Sequence, residues 1–385
     1  MEKKNIVFLS HTNMGGPFVV GSHHYAKELS MRGHKVFHIS TPVTLFHKLK
    51  KDSITRYKIR NMNKLMVESD NLFQLIPYSR GLPWKYSRYI YNVFGLNFLT
   101  KPIERKISQQ VKEIFNNEEV DYLILDQPIM VGLETVIEYN KLIYRPTDIY
   151  EKIMEDRIVT VAEKNILSIC DGVISTSPTV DKHISQLIDK KFKITLENAG
   201  ELNHFKKKSP IPKEYEEIAG FIAVYIGALD KRFDFSVVSK LASNYSNLTI
   251  VIIGPIVNVK EAEKLKKHKN VKLLGSIDYS EIPSFLQHSD VALLPLSDHP
   301  ANQGRSPMKL YEYLASGLPV VSKNLNDLRE RNLDYVYFYD NVESLHTLIS
   351  DILKEKIDQD NIASSVGEIS WSSNTNKLLD FINKL

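Results

Sequence analysis

A single cysteine, Cys170, is all that the 385 residues contain, which excludes an internal disulfide framework and any zinc-ribbon or iron–sulfur site built on a cysteine cluster. No apolar run reaches the roughly 18 residues a spanning helix needs. The start, Met1-Glu2-Lys3-Lys4 followed by Ile6–Leu9, holds too short an apolar stretch for a secretory signal, so a cytoplasmic location is expected. GxGxxG is absent and no Gly-Lys-Ser/Thr follows the early glycines, so neither the dinucleotide fingerprint nor a P-loop is present. The one Asp-x-Asp, Asp358-Gln359-Asp360, lies in a polar segment near the C-terminus and reads as surface, so no metal site is expected there.

What is present is apolar material for two cores: 43% of residues are hydrophobic, and the length suits two domains of roughly 150–200 residues. Charge is unevenly spread. Between Leu45 and Lys106 stand 13 Lys/Arg against the four acids Asp52, Glu68, Asp70 and Glu104, a local balance of +9 in a chain of formal charge +4. The same stretch carries Tyr78, Trp84, Tyr86, Tyr89, Tyr91, Phe94 and Phe98. Aromatics interleaved with cations suit an anionic bilayer surface or single-stranded nucleic acid, and equally a core edged by solvated lysines.

Strands alternate with helices in two series. The first has strands at 5–10, 35–40, 120–125, 142–144, 172–175 and 193–196; the second at 222–226, 248–253, 271–274, 291–296, 318–321 and 335–338. Between them, 201–217 holds three consecutive lysines, Pro210 and Pro212, as an interdomain connection would. The spacing predicts an α/β chain of two doubly wound, Rossmann-like domains facing a cleft: 1–203, 204–365, and a helix over 366–385 returning to the first. Ligands in such sheets bind outside the carboxyl ends of the strands.

The segment from Gln303 to Ser322, QGRSPMKLYEYLASGLPVVS, is the most informative. Ser306 is a natural N-cap, Pro307 fits the first helical position and Gly317 a left-handed stop. A helix starting there after a sheet strand suits a phosphate, with Lys309 adding a charge in its first turn and Glu312 one turn deeper. A surface Lys309–Glu312 pair, worth about a few tenths of a kcal/mol, would give the same spacing.

Residues Met308–Val321 resemble the nucleotide-sugar-binding helix of GT-B glycosyltransferases of group 1 type, and the Ser-Pro-Met-Lys-Leu-Tyr-Glu form is similar to the branch of xanthan glucuronosyltransferase and teichuronic-acid-type bacterial enzymes. Val224–Phe235, Asn270–Leu296, Glu197–Gly200 and Trp371 resemble further parts of that family in order. The resemblance implies a donor-binding set of Ser306, Pro307, Met308, Lys309, Glu312, Arg232, Ile277 and Tyr279. Retaining relatives carry a second glutamate eight residues before Glu312, where this chain has Gly304, and that departure favours inversion.

Tyr144-Arg145-Pro146-Thr147-Asp148 is similar to the Tyr-Arg-x-x-Asp of the glucuronosyltransferase branch, which implies Asp148 as catalytic base; Asp148 with Glu151 also reads as a capping box. In the loop after the first strand, Gly15 and Gly16 would let backbone N–H groups approach a sugar or phosphate, with His11 beside them, or make a plain turn. His23-His24 reads as helix surface more readily than as an acceptor contact. The resemblance implies a metal-independent transferase without cofactor. Its donor would be a nucleoside-diphosphate sugar, uridine by family weighting with guanosine open. The acceptor would be a glycan or lipid-linked saccharide in surface polysaccharide synthesis, with possible peripheral contact to an anionic membrane through 45–106 and no nucleic acid. A nucleotide-sugar epimerase and a non-catalytic binding protein share the architecture and remain alternatives.

Overall fold

A computed structural model describes residues 2–16, 19–49, 53–190, 192–355, 357–367 and 369–385. Residues 17–18 of the early glycine loop and 50–52 of the basic stretch lie outside the described residues. The chain divides into two compact units: residues 1–197 with 371–385, and residues 198–370. The division falls a few residues from the expected 203/204 and 365/366. Asn198 donates from its backbone to the Ser306 hydroxyl at 2.8 Å, and Gly200 forms a bridge with Ser370, so both flanks are tied into the second unit.

The first unit is built on an eight-stranded sheet: β1 (Asn5–Ser10), β2 (Lys35–Ser40), β3 (Leu65–Ser69), β4 (Leu72–Leu75), β5 (Val120–Leu125), β6 (Tyr139–Tyr144), β7 (Gly172–Ser175) and β8 (Lys193–Thr195), in the order β3-β4-β2-β1-β5-β6-β7-β8. All neighbours are parallel except β3, which runs antiparallel to β4. This hairpin interrupts the expected all-parallel sheet. Its outer strand is nearly all exposed and has only three apolar residues, Leu65–Val67, too short a run to stand out in the sequence. The central strands Ile6–Leu9 and Leu123–Leu125 are fully buried, as strands covered by helices on both faces must be.

Helix Trp371–Ile382 belongs to this unit. Trp371 is its first residue, 3% exposed, and stacks on the His24 ring at 4.7 Å and 5°. Arg32 donates to the Asn376 side chain at 2.6 Å and to the Ser372 carbonyl at 2.8 Å. His23 and His24 are therefore core residues of helix Gly21–Met31, 3% and 4% exposed, where the sequence suggested surface. Their burial follows from what covers them: Trp371 over His24, and the edge of the His38 ring, 5.1 Å away, against His23.

The second unit has six parallel strands, β9 (Phe221–Ile226), β10 (Leu248–Ile253), β11 (Val271–Gly275), β12 (Val291–Leu294), β13 (Val320–Lys323) and β14 (Val336–Tyr339), ordered β11-β10-β9-β12-β13-β14. Chain order reverses between β9 and β12, and that switch point is where doubly wound sheets take ligands.

Replacing Trp371 by Ala should lower the stability of the first unit by about 3 kcal/mol, through the lost stacking on His24 and the cavity left behind. Urea unfolding followed by circular dichroism measures it.

Candidate active-site elements in the two units

In the second unit the residues flanking the switch point come from two loops. The first, after β9, carries Gly227, Asp230 and Arg232; the second, after β12, carries Arg305 and leads into helix Lys309–Ala315. The loops are pinned to each other. Ser297 donates from its backbone to the Arg232 carbonyl at 2.8 Å, Asn302 Nδ2 donates to the same oxygen at 2.9 Å, and Asp234 donates from its backbone to the Pro295 carbonyl at 2.7 Å.

Ser306 and Pro307 precede the helix instead of opening it. Helix residues begin at Lys309, with Met308 at the cap position and no side-chain cap bond. The expected N-cap role of Ser306 is corrected by its partners. Its hydroxyl accepts from the Asn198 backbone at 2.8 Å and from Arg331 Nη2 at 3.0 Å, while Asn198 Nδ2 donates to its carbonyl at 2.8 Å. Ser306 is thus a tie between segments. A helix this short contributes little dipole, so side-chain cations dominate the local field.

Lys309 is partly buried, its Nζ 4.7 Å from the centroid of the Tyr225 ring. Gly227 makes that position possible: a Cβ there would lie 2.3 Å from Lys309 Nζ and 2.6 Å from the Tyr225 hydroxyl. Burial, then repulsion from Arg305 and Arg232, pushes the Lys309 ammonium down to about 7. Arg232 forks onto Asp230, with Nη2 2.6 Å from Oδ2 and Nε 3.1 Å from both oxygens. Burial alone would raise the Asp230 carboxyl, yet this fork holds it below the usual range.

Glu312 is 9% exposed and accepts from the Tyr279 hydroxyl at 3.2 Å. Burial pushes its carboxyl up to about 7. Tyr279 is itself held by the His204 ring, stacked at 5.0 Å and 17°, so its hydroxyl is aimed at Glu312. Ile277 and Tyr279 both pack against the apolar cluster that includes Phe205, Phe285 and Leu310. Lys309, Glu312 and Arg232 thus lie on elements flanking the switch point, while Ile277 and Tyr279 follow β11 at the sheet edge, with Tyr279 reaching Glu312 through its hydroxyl. Sequence reasoning missed Arg305, Tyr225 and Gly227. Arg305 stands inside the most informative segment, but with Ser306 read as a cap it had no assigned role.

In the first unit Asp148 follows β6 and is partly buried. Thr147 Oγ1 donates to Asp148 Oδ2 at 3.1 Å and lies 2.9 Å from the Tyr150 hydroxyl, which donates to the Asp126 carbonyl. The helix that follows, Tyr150–Met154, has Ile149 at its cap position and no side-chain cap bond, so the capping-box reading of Asp148 is not realised. Arg145 is 1% exposed and 3.1 Å from Asp126, equally buried, with its guanidinium 5.0 Å from the Tyr25 ring centroid. The Tyr144 hydroxyl donates to Glu163 at 2.7 Å. Tyr144 and Arg145 therefore anchor the strand end from which Asp148 projects.

Gly15 is left-handed (φ 71°), and a Cβ on it would meet the Tyr57 hydroxyl at 2.8 Å; Gly16 lies against the Asn13 side chain. The Tyr57 hydroxyl thus lies on the side of Gly15 where a Cβ would stand. Burial pushes His11 down to about 4 and His23 down to about 3, so both are neutral near pH 7. Asp358 caps helix Gln359–Ser365 by accepting from the Asp360 backbone at 2.9 Å, which accounts for the Asp-x-Asp spacing.

Comparison with known proteins defines the class. Residues 206–367 match the family described as group 1 glycosyl transferases, and residues 8–176 match the N-terminal domain of the glucuronosyltransferase GumK. Sucrose-phosphate synthase of Thermosynechococcus elongatus has the same fold, with a TM-score of 0.73 at 12% identity over 99% of both chains. So does HepE of Anabaena, solved in complex with UDP and glucose, with a TM-score of 0.69 at 14% identity over 99% of this chain and all of that one. The fold is that of the GT-B glycosyltransferases. Within that fold, residues 206–367 carry a domain of the group 1 type and residues 8–176 a domain of the GumK N-terminal type. The putative teichuronic acid biosynthesis glycosyltransferase TuaH of Bacillus subtilis is 26% identical over 232 residues, covering 56% of this chain and 58% of TuaH, so the match spans little more than half of that relative.

The two shifted groups at the second-unit site make opposite demands on pH. Lys309 has a folded value below its unfolded one, so its contribution to stability is greatest at high pH and is lost as pH falls through about 7. Glu312 has a raised folded value, so its contribution is greatest at low pH and is lost as pH rises through about 7. Lys309→Met should raise the melting temperature by about 2–4 °C at pH 6, with the gain shrinking as pH rises from about 7 toward the ordinary lysine value of 10.5. Glu312→Gln should raise it at pH 8, with the gain shrinking as pH falls from about 7 toward the ordinary glutamate value of 4.5. Calorimetric melting across both windows checks them.

Proposed function

We propose that the protein transfers a sugar from a nucleoside-diphosphate sugar, with uridine as the nucleotide, to a hydroxyl of a glycan or lipid-linked saccharide in surface polysaccharide synthesis. The single observation that carries this reading is the crowding of Lys309 by Arg232 and Arg305 beside Gly227. Such a cluster is relieved by a bound anion, and a diphosphate supplies two adjacent ones. Glu312, one helical turn deeper and oriented by Tyr279, suits the ribose hydroxyls. Support for the donor class comes from HepE, which was solved with UDP and glucose, and support for the process from the name of TuaH.

The proposed chemistry is direct displacement with inversion. Asp148 takes the proton of the acceptor hydroxyl, whose oxygen forms the new bond to the anomeric carbon. The bond from that carbon to the diphosphate oxygen breaks, and its electron pair leaves with the diphosphate. Arg232, Arg305 and Lys309 stabilise the charge that develops there, a role a divalent cation fills in other transferases, so the proposal includes metal independence. The hydrogen bond from Thr147 holds the Asp148 carboxylate in one orientation. A lipid-linked acceptor is presented at a bilayer, so peripheral attachment at the inner face of the cell membrane is part of the proposal.

Calorimetric titration with UDP, GDP and ADP, with and without EDTA, tests the donor half. UDP is expected to bind selectively and without metal, and Arg305→Ala and Lys309→Ala are each expected to weaken it at least about tenfold. Asp148→Asn should leave UDP affinity unchanged while abolishing transfer. Unchanged UDP affinity in both cation variants would sink the donor site. Absence of any nucleotide binding by the native chain would sink the transferase reading.

A further inference from the structure

Helix Trp84–Phe94 carries two apolar stripes. Trp84, Ser87 and Tyr91, spaced i, i+3, i+7, are buried on the first unit's core. This side is fixed in place: Trp84 Nε1 donates to Asp156 at 3.0 Å, and Arg88 pairs with the same carboxylate at 3.2 Å. The second stripe has the same spacing and faces water. Tyr86, Tyr89 and Val93 are 48%, 56% and 69% exposed, and Phe94 beside them is 71% exposed. Past the left-handed Gly95 the surface continues through Leu96 and Phe98, and Phe46 joins it with its ring 5.5 Å from that of Tyr86. A surface helix ordinarily turns polar residues outward. An apolar face left contiguous and exposed marks a contact site.

The chemistry around the stripe says what the contact is. Arg80, Lys85 and Lys101 are exposed on its flanks, in a stretch with 13 Lys/Arg against four acids. The Arg88 guanidinium, paired with Asp156, lies 4.8 Å from the Tyr89 ring centroid and donates to its hydroxyl at 2.8 Å, which fixes that ring at the edge of the stripe. Tyrosines combine an apolar ring with a polar tip, the side-chain design that settles at a headgroup boundary. The 11-residue helix is about 16 Å long, which lets it lie in the plane of a bilayer but not cross one.

We propose that the outward stripe of helix Trp84–Phe94 docks on an anionic lipid bilayer, its aromatic and aliphatic side chains entering the headgroup boundary while the flanking cations meet lipid phosphates. This deepens the transferase reading, on which it rests for its purpose: it names the surface at which a lipid-borne acceptor is met. Cation flanks of one sign around an apolar stripe match phosphatidylglycerol-type lipid better than they match a second copy of this face, which would set like charges against each other.

The test uses the full chain and vesicles of phosphatidylcholine, with or without phosphatidylglycerol. Co-sedimentation should be at least about tenfold stronger on the anionic vesicles and should weaken with salt. The double variant Val93→Ser, Phe94→Ser should lose about tenfold of that binding. A second measurement needs no loss of packing. Cys170 is buried, so a polarity-sensitive dye on Phe94→Cys reports one site, and its emission should shift to the blue only with anionic vesicles. Equal binding to both vesicle types, or no shift of the dye, overturns the proposal. Self-association of the native chain that the double variant abolishes, seen by sedimentation equilibrium without lipid, also overturns it and assigns the face to a second copy. UDP titration of the same samples separates the readings. Lipid binding without UDP binding would retain the docking face and sink the transferase reading, whereas UDP binding without lipid binding would do the opposite.

Discussion

Arg232 and Arg305 both repel the Lys309 ammonium at the switch point of the second sheet, and much of the surrounding chain serves to hold it there. Two cross-linked loops fix the Arg232 backbone, and Ser306 is clamped between Asn198 and Arg331. The Tyr313 hydroxyl accepts from the Ile226 backbone at 2.8 Å, locking helix Lys309–Ala315 to the end of β9. Each tie is an ordinary hydrogen bond worth about 1 kcal/mol. Together they keep like charges in proximity that a looser framework would let drift into solvent. A site arranged this way is less stable than its isosteric neutral version and better matched to an anion, the usual opposition between stability and function.

The first unit solves a related problem differently. Arg145 and Asp126 are both 1% exposed, and their mutual neutralisation lets two ionised groups sit where neither would alone. Glu163, fully buried, takes the Tyr144 hydroxyl as its donor, and burial raises it to about 7. These pairs sit directly behind the segment that ends in Asp148. The second unit thus gathers three cations near the carboxylate of Asp230 at its strand ends, while the first balances charge beneath a single carboxylate.

Much of this was legible in the sequence because its causes are local. Strand positions, the left-handed Gly317, and the placing of Lys309 and Glu312 on one helix follow from apolar runs, glycine conformation and helical spacing. The rest depends on partners distant in the chain. Ser306 looks like a cap until Asn198 and Arg331 claim its hydroxyl, 108 and 25 residues away. His23 and His24 look exposed until Trp371 and His38 cover them. The β3–β4 hairpin escaped notice because its outer strand has only three apolar residues in a row, Leu65–Val67, before Glu68 and Ser69. Arg305 stood in view, but its meaning depends on Arg232 and Lys309 lying near it in space.

The first unit is discontinuous: its last helix, Trp371–Ile382, is separated from the rest by the whole of residues 198–370. On the ribosome the second unit is complete before that helix emerges, whereas the first sheet must wait with one face of helix Gly21–Met31 uncovered. A chain stalled or cut before Trp371 would carry a finished second unit beside a first unit whose His24 and Tyr25 rings still face water. Such a chain is a ready substrate for chaperones and proteases.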